Sequence, residues 1–208
     1  PRLQPWQGCA LPLSYARNNF FYYHDSFIKY NKKIYFMLDC NQFIYLLNSR
    51  GYDYELHEHE PLHTVEDSYN LRGKIKGSHS KNLFLKNKKN KFFLISCEEF
   101  TDINLKKISK SLEMGNVSFA KEEYLKSLLG IKPGSVTPFA LLNNNNNDIV
   151  FYLEERLYNS NFINFHPLTN TATVTMSCDN FVKLMIENNK KIHIFSTESE
   201  TVIKTYGE

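Results

Sequence analysis

Apolar positions along the chain follow a helical spacing in some stretches and an alternating or continuous strand spacing in others, with polar or glycine-containing stops between them. Phe43, Ile44, Leu46 and Leu47 share a helical face and Gly51 follows as a stop, which predicts a helix over 41–50. Residues 52–59 alternate acidic or His positions with Tyr54 and Leu56 and end before Pro61, the pattern of a strand; Thr64 with Asp67 three residues on reads as the start of a short helix. The runs 81–86 and 92–97 flank the polar turn Asn87-Lys88-Lys89-Asn90 and predict a β-hairpin. Helical periodicity returns over 105–112 and 121–129, the second closed by Gly130. Strands are expected at 139–142, 149–153, 162–165, 171–176 and 191–195, with a helix over 179–187 capped by Ser177. The run Asn143–Asn147 reads as a tolerated expansion of a turn between two strands.

Residues 1–40 stand apart. The first Lys is Lys29, so 1–19 differ in composition from the Lys- and Asn-rich remainder, and 20–38 read as a short aromatic hairpin or strand. We therefore expect an N-terminal appendage over 1–40 and a folded domain over 41–208. The chain opens on Pro1 without a secretory leader pattern, which suggests a piece of a larger parent. Length and composition fit an ordinary globular domain: 208 residues, 42% hydrophobic, 23% charged, with 16 Phe and 13 Tyr. No run reaches the roughly 18 apolar residues that span a bilayer, so no membrane association is expected. The net charge of +3 does not declare a nucleic-acid partner but leaves room for a local basic face. Cys9, Cys40, Cys97 and Cys178 are widely spaced, which fits reduced thiols and a cytoplasmic location.

Several candidate chemistries meet simpler explanations. His57 and His59 share a strand face and, with His63, invite a metal, yet no second ligand set is spaced to complete a site and solvated edge histidines are commoner. Residues 73–81 combine glycines, hydroxyls and lysines, but Lys81 lies four residues after Gly77 and opens a strand, unlike a phosphate loop. Lys86, Lys88, Lys89 and Lys91 crowd one hairpin and could meet RNA phosphates or form a solvated surface. No G-x-S-x-G elbow is present, so covalent catalysis has no positive signal.

Four segments in order carry more information: 77–85 (GSHSKNLFL), Ser118-Phe119-Ala120 with 129–139 (LGIKPGSVTPF), 164–168 (NFHPL) and 170–173 (NTAT). Together, over about 41–195, they resemble the YbaK and prolyl-tRNA synthetase-associated editing domain family, and within it the ProX/PrdX type that deacylates Ala-tRNA(Pro). The resemblance implies a mixed α+β fold with a central mixed, partly barrel-like sheet flanked by helices. It also implies hydrolysis of the ester between a wrong amino acid and the terminal adenosine of tRNA, with no cofactor, no metal and no covalent intermediate. Lys81 matches the family's functional lysine, and Gly134 to Pro138 matches the loop whose backbone amides position the substrate carbonyl. A water would be activated with help from the terminal hydroxyl of the tRNA. His79, Asn82, Ser135, Val136, Thr137 and His166 fall at substrate-binding positions. The expected partners are the tRNA(Pro) acceptor end and a prolyl-tRNA synthetase, in cis or in trans. The alternatives are a silent tRNA-binding appendage and a Cys-tRNA(Pro) deacylase. The sequence departs from the family pattern at Ser78 and Ser80, where relatives often carry Gly and Thr, and in the Asn143–Asn147 run.

Overall fold

The computed structural model describes residues 37–61, 75–146 and 148–207. By its internal contacts the chain divides after Met37, and every described helix and strand lies in the unit 38–208. The readings of 20–38 and of the helix begun by Thr64 fall almost entirely outside the described residues.

Helix α1 (Cys40–Ser49) begins where Asp39 accepts the Gln42 N–H and the Gln42 side chain accepts the Asp39 N–H, each at 2.9 Å. This reciprocal cap satisfies two amides that a helix start otherwise leaves unpaired. The chain continues through β1 (Glu55–Glu58), β2 (Ser78–Asn87), β3 (Phe92–Glu98), α2 (Leu105–Ser111) and β4 (Val117–Phe119). Next come α3 (Glu122–Tyr124), which widens into a π-helical turn over Leu125–Leu129, and a 3-10 helix over Pro138–Asn143. The chain ends with β5 (Ile149–Glu154), α4 (Glu155–Tyr158), β6 (Phe162–Phe165), β7 (Ala172–Ser177), α5 (Cys178–Glu187), β8 (Ile192–Phe195) and β9 (Val202–Tyr206).

The nine strands among the described residues form one mixed sheet in the order β1-β7-β6-β2-β3-β5-β8-β9, with β4 paired to β2 beside this path. The long strand β2 pairs with β3 along one edge; along the other it pairs with β6 through Ser78 and His79 and with β4 through Leu85 to Asn87. Side chains alternate between faces, and paired residues share a face. One face carries Val174, Ile163, Phe165, Phe84, Leu94, Phe151 and Ile194 against Phe43 and Leu47 of α1, Leu125 and Leu129 of the π turn, and Phe181 and Met185 of α5. Phe139 lies at the centre of this core, with ring centroids 4.4 Å from Phe43, 5.6 Å from Phe165 and 5.9 Å from Phe181. Each buried aromatic of this kind contributes about 1.5–3 kcal/mol relative to exposure. The opposite face is apolar over β2, β3, β5 and the end of β8, where Leu85, Phe93, Ile95, Tyr152 and Phe195 pack with Ile108 of α2 and Met114.

The structure corrects two expectations. Residues 139–142 are not a strand: Pro138 opens a 3-10 helix and the Thr137 hydroxyl accepts the Phe139 N–H at 3.4 Å. A proline whose φ is pre-set for a helix start outweighs a short apolar run, whose period cannot separate strand from helix. The asparagine run is likewise more than a turn expansion. Asn143 is buried, accepts the Leu38 N–H at 2.6 Å and donates to the carbonyls of Leu38 and Leu129 at 3.1 and 2.9 Å, while the Asn144 carbonyl accepts the Lys190 ammonium at 2.6 Å. Of the described members, only Asn145 and Asn146 are exposed. β4, α4 and β9 were not expected from the sequence.

Candidate active site

Over β1, β7, β6 and the start of β2 the face away from the main core is polar. The register puts His57 opposite Thr173, Thr175 opposite Asn164, and His79 opposite Asn164, while Phe165 and Val174 point into the core. Alternation therefore places His79 and Lys81 of β2, Asn164 of β6 and the following His166, and Thr173 and Thr175 of β7 on one face. Asn164 is buried and tightly held: its Oδ1 accepts the Thr175 hydroxyl at 2.5 Å and its Nδ2 donates to the carbonyls of Lys76 and Ser78 at 2.9 and 3.3 Å. The Ser80 hydroxyl donates to the Asn164 carbonyl at 2.8 Å, tying β2 to β6 just before Lys81.

Lys81 is half-buried, and its Nζ donates to the carbonyl of Thr101. A cation resting on a neutral carbonyl keeps its charge available to an anion. The carbonyl is fixed by the turn Glu98 to Thr101. Glu154, fully buried at the end of β5, accepts the Glu98 N–H at 3.1 Å and the Thr101 hydroxyl at 3.3 Å, and its other oxygen faces Arg156 Nε at 3.8 Å. Cys97, paired with Lys81, is no nucleophile: burial pushes its thiol up to about 12, Lys81 lowers it only in part, and Glu154 and Glu98 add to the rise.

His166 donates through Nδ1 to the Ala172 carbonyl, 2.9 Å away, and its ring centroid lies 6.1 Å from that of His59. Burial pushes its pKa below the ordinary histidine value; the Ala172 carbonyl works against this and the neighbouring His59 adds to it. His59 is occupied at both nitrogens, by the Glu60 carbonyl at 2.8 Å and the Thr173 hydroxyl at 2.9 Å. Among the described residues no three His, Cys, Asp or Glu side chains converge on a metal site; His63 lies outside them.

Gly134 is exposed and left-handed at φ 82°, a backbone state open to glycine at little cost. The loop it begins is anchored: Ser135 and Thr137 are buried and Val136 packs on the main core. Pro138 leads into Phe139, whose edge-on contact with Phe165 ties the loop to the residue before His166. Asn82 points to the core side, where its Oδ1 accepts the Ser96 hydroxyl at 2.6 Å. The structure thus groups His79, Lys81 and His166 on one face, links the Gly134–Pro138 loop to His166 through two aromatics, and sets Asn82 on the other face.

The hairpin lysines begin at Lys86, five residues further along β2 and about 17 Å from Lys81, and continue through the turn to Lys91. Lys86 is engaged, donating to the Tyr124 hydroxyl at 2.8 Å with its ammonium 4.4 Å from the Tyr124 ring centre. Lys88, Lys89 and Lys91 border a cleft of about 200 Å³ between the hairpin turn and the loop holding Glu113 and Gly115. Sequence reasoning missed Thr101, Glu154 and Asn164 as supports of the site. Asn164 lies inside one of the four family-like segments, whereas nothing in the pattern separates a buried Glu154 from any glutamate at a strand end.

The profile of the aminoacyl-tRNA editing domain family matches residues 59–184. A Bos taurus protein, prolyl-tRNA synthetase associated domain-containing protein 1, is 36% identical over 133 residues, covering 62% of this chain and 77% of that protein. The prolyl-tRNA editing protein ProX of Acetoanaerobium sticklandii is 28% identical over 137 residues, covering 65% and 84%. The crystal structure of a candidate trans-editing enzyme for prolyl-tRNA synthetase superposes with a TM-score of 0.56 at 19% identity, covering 76% of this chain and 96% of that one. That last likeness is one of fold.

Proposed function

Because the chain belongs to the aminoacyl-tRNA editing domain family, we propose that it removes alanine from mischarged tRNA(Pro) by hydrolysing the ester to the terminal ribose. The observation that supports this best is Lys81, a cation on the polar face that is held by a neutral carbonyl on a braced turn. In the reaction, water oxygen bonds to the ester carbonyl carbon, the carbon–ribose oxygen bond breaks, and the ribose oxygen takes up a proton; alanine and tRNA leave. Lys81 would hold the terminal phosphate or orient the ester, which favours the reactive geometry without loss of its proton. Backbone N–H groups of the Gly134–Pro138 loop would face the developing oxyanion, with Gly134 letting the substrate come close. The tRNA's terminal hydroxyl would help to activate the water. His166 and His79 would line the substrate's side of the pocket.

Such an activity answers a limit of binding. A pocket that accepts proline cannot strongly exclude smaller alanine, because lost methylene contacts are worth only about 1–3 kcal/mol. A second pocket sized for a methyl group rejects proline by overlap. The lysine and the backbone amides supply the electrostatic stabilisation, so we expect the rate to survive exhaustive chelation; loss of activity that zinc restores would refute this part. We place the reaction in the cytoplasm, alongside or joined to a prolyl-tRNA synthetase.

The test is single-turnover deacylation of Ala-, Cys- and Pro-tRNA(Pro). Fast release of alanine with proline spared is the expected result. Preference for cysteine would move the protein to a different substrate, and tRNA binding without any release would make it a silent binding appendage.

A further inference from the structure

The loop that carries Gly134 and Pro138 leaves the core at the end of the π-helical turn and returns through the 3-10 helix. Its internal hydrogen bonds are local. The Ser135 N–H donates to the Lys132 carbonyl at 3.1 Å across a turn with Pro133 and left-handed Gly134 at its centre, and the Ala140 N–H donates to the Thr137 carbonyl at 3.2 Å. Neither bond ties the outgoing limb to the returning one. The Asn143 side chain does, because its Nδ2 donates to the carbonyl of Leu129, 14 residues earlier, at 2.9 Å. The same amide grips Leu38, donating to its carbonyl at 3.1 Å and accepting its N–H at 2.6 Å, immediately ahead of the Asp39 cap of α1. Both Nδ2 protons are thus engaged, and a flipped amide would set its oxygen against two carbonyls, so this orientation is fixed. Asn143 and Leu129 are both buried, where a broken bond leaves polar groups unpaired.

We propose that Asn143 is a positioning residue: its side chain staples the two limbs of the loop between Leu129 and Asn143 and so sets where the loop amides stand against the substrate carbonyl. Amides aimed in advance stabilise a developing charge without rearranging in the reaction step. A displacement of about 1 Å can cost about 100-fold in rate. The grip on Leu38 anchors the staple to the start of α1, so the loop is held against the frame of the domain and not only against itself. The effect on rate rests on the proposed hydrolysis, whereas the staple is a property of the folded chain and can be read without tRNA.

Asn143→Asp in the full chain keeps the size of the side chain and the acceptor for the Leu38 N–H but removes both donors. In deacylation of Ala-tRNA(Pro) below the melting range, kcat should fall about 10- to 100-fold with KM changed by less than about threefold. Tyr52→Phe, which removes the bond from the Tyr52 hydroxyl to Glu187 of α5, serves as a destabilised control and should keep the parent kcat. Hydrogen exchange followed by NMR reads the staple directly. In the parent the Asn143 side-chain protons should be protected together with the Ile131 and Ser135 amides, and in Asn143→Asp those two amides should exchange at least about tenfold faster. A folded Asn143→Asp with the parent kcat would overturn the proposal, and so would an equal loss of kcat in Tyr52→Phe. Where the variant does not fold, the parent decides: Asn143 side-chain protons that exchange as freely as those of exposed Asn145 and Asn146 would also overturn it. Loop protection that depends on Asn143 in a chain unable to deacylate any tRNA would uphold the staple and refute the proposed hydrolysis.

Discussion

At the scale of single residues, the roles of Lys81 and His166 can be separated from their structural contributions. Lys81 loses one hydrogen bond, to a backbone carbonyl, when cut to alanine, a cost of about 1 kcal/mol. That corresponds to about 2–4 °C in melting temperature for a chain of this size. Deacylation should fall by about 100-fold or more, the range seen when one electrostatic contact to a transition state is removed. Lys81→Arg should not restore it, because a planar fork cannot occupy the place of a compact ammonium. Near-normal turnover in Lys81→Ala, or a collapse of the melt, would contradict the assignment. His166 gives a prediction in pH. Its folded pKa lies below the unfolded value, so between the two the unfolded chain binds the extra proton. Above about pH 6.5 both states are neutral and nothing is lost; as pH falls below that value the folded state is penalised, until pH reaches the folded pKa. Urea unfolding from pH 7.5 to 5 should therefore show stability dropping less steeply in His166→Gln than in the parent, and parallel curves would remove His166 from the account.

At the scale of elements, the start of β2 depends on a glycine. A Cβ at Gly77 would sit 2.5 Å from the Phe162 carbonyl oxygen, and φ is +86°. Gly77→Ala must push β2 from β6 or strain the backbone, at a cost of about 1–3 kcal/mol. Denaturant midpoints check this, and an unchanged midpoint would mean that the two strands give way freely. The sequence made most of these elements legible. The β2–β3 hairpin, α1 and α5 carry local signals: a polar turn between apolar runs, an apolar helical face stopped by Gly51, and Ser177 before a helical stripe, whose hydroxyl accepts the Asn180 N–H at 3.1 Å. β9 carries none, since it is half polar and mostly exposed and gains its place only by pairing with β8. β4 is three residues long and is defined by its partner β2. At the site, Lys81, His79 and His166 were readable because a family pattern marks them. Asn82 shows the limit, because the residue after a marked lysine on a strand must point to the opposite face. The bracing by Glu154 was not readable, because contacts between residues 56 positions apart leave no local period.

For the whole molecule, charge is concentrated at one end of the β2–β3 hairpin, with Lys86 drawn away by Tyr124 and Lys88, Lys89 and Lys91 left around the cleft. If these three meet RNA phosphates beyond the terminal bases, replacing all three with alanine should weaken tRNA binding. It should also flatten the dependence of affinity on salt, since each released phosphate contact removes up to about one unit from the slope of log K against log salt. Single-turnover rates at saturating tRNA should change little. Identical salt slopes for parent and triple variant would show the hairpin to be a solvated surface.

The strand order also governs when the sheet can be completed during synthesis. Among the described strands β1 pairs with β7 alone, and β2 meets β6 after the chain has passed through β3, β4 and β5. A chain growing from the ribosome can close the β2–β3 hairpin at once but leaves β1 and the start of β2 waiting, with an open edge, until β6 and β7 emerge. Nascent chains stalled before β7 should therefore be digested by protease at β1 while the hairpin resists, and protection of β1 should appear in one step once Ser177 clears the exit tunnel.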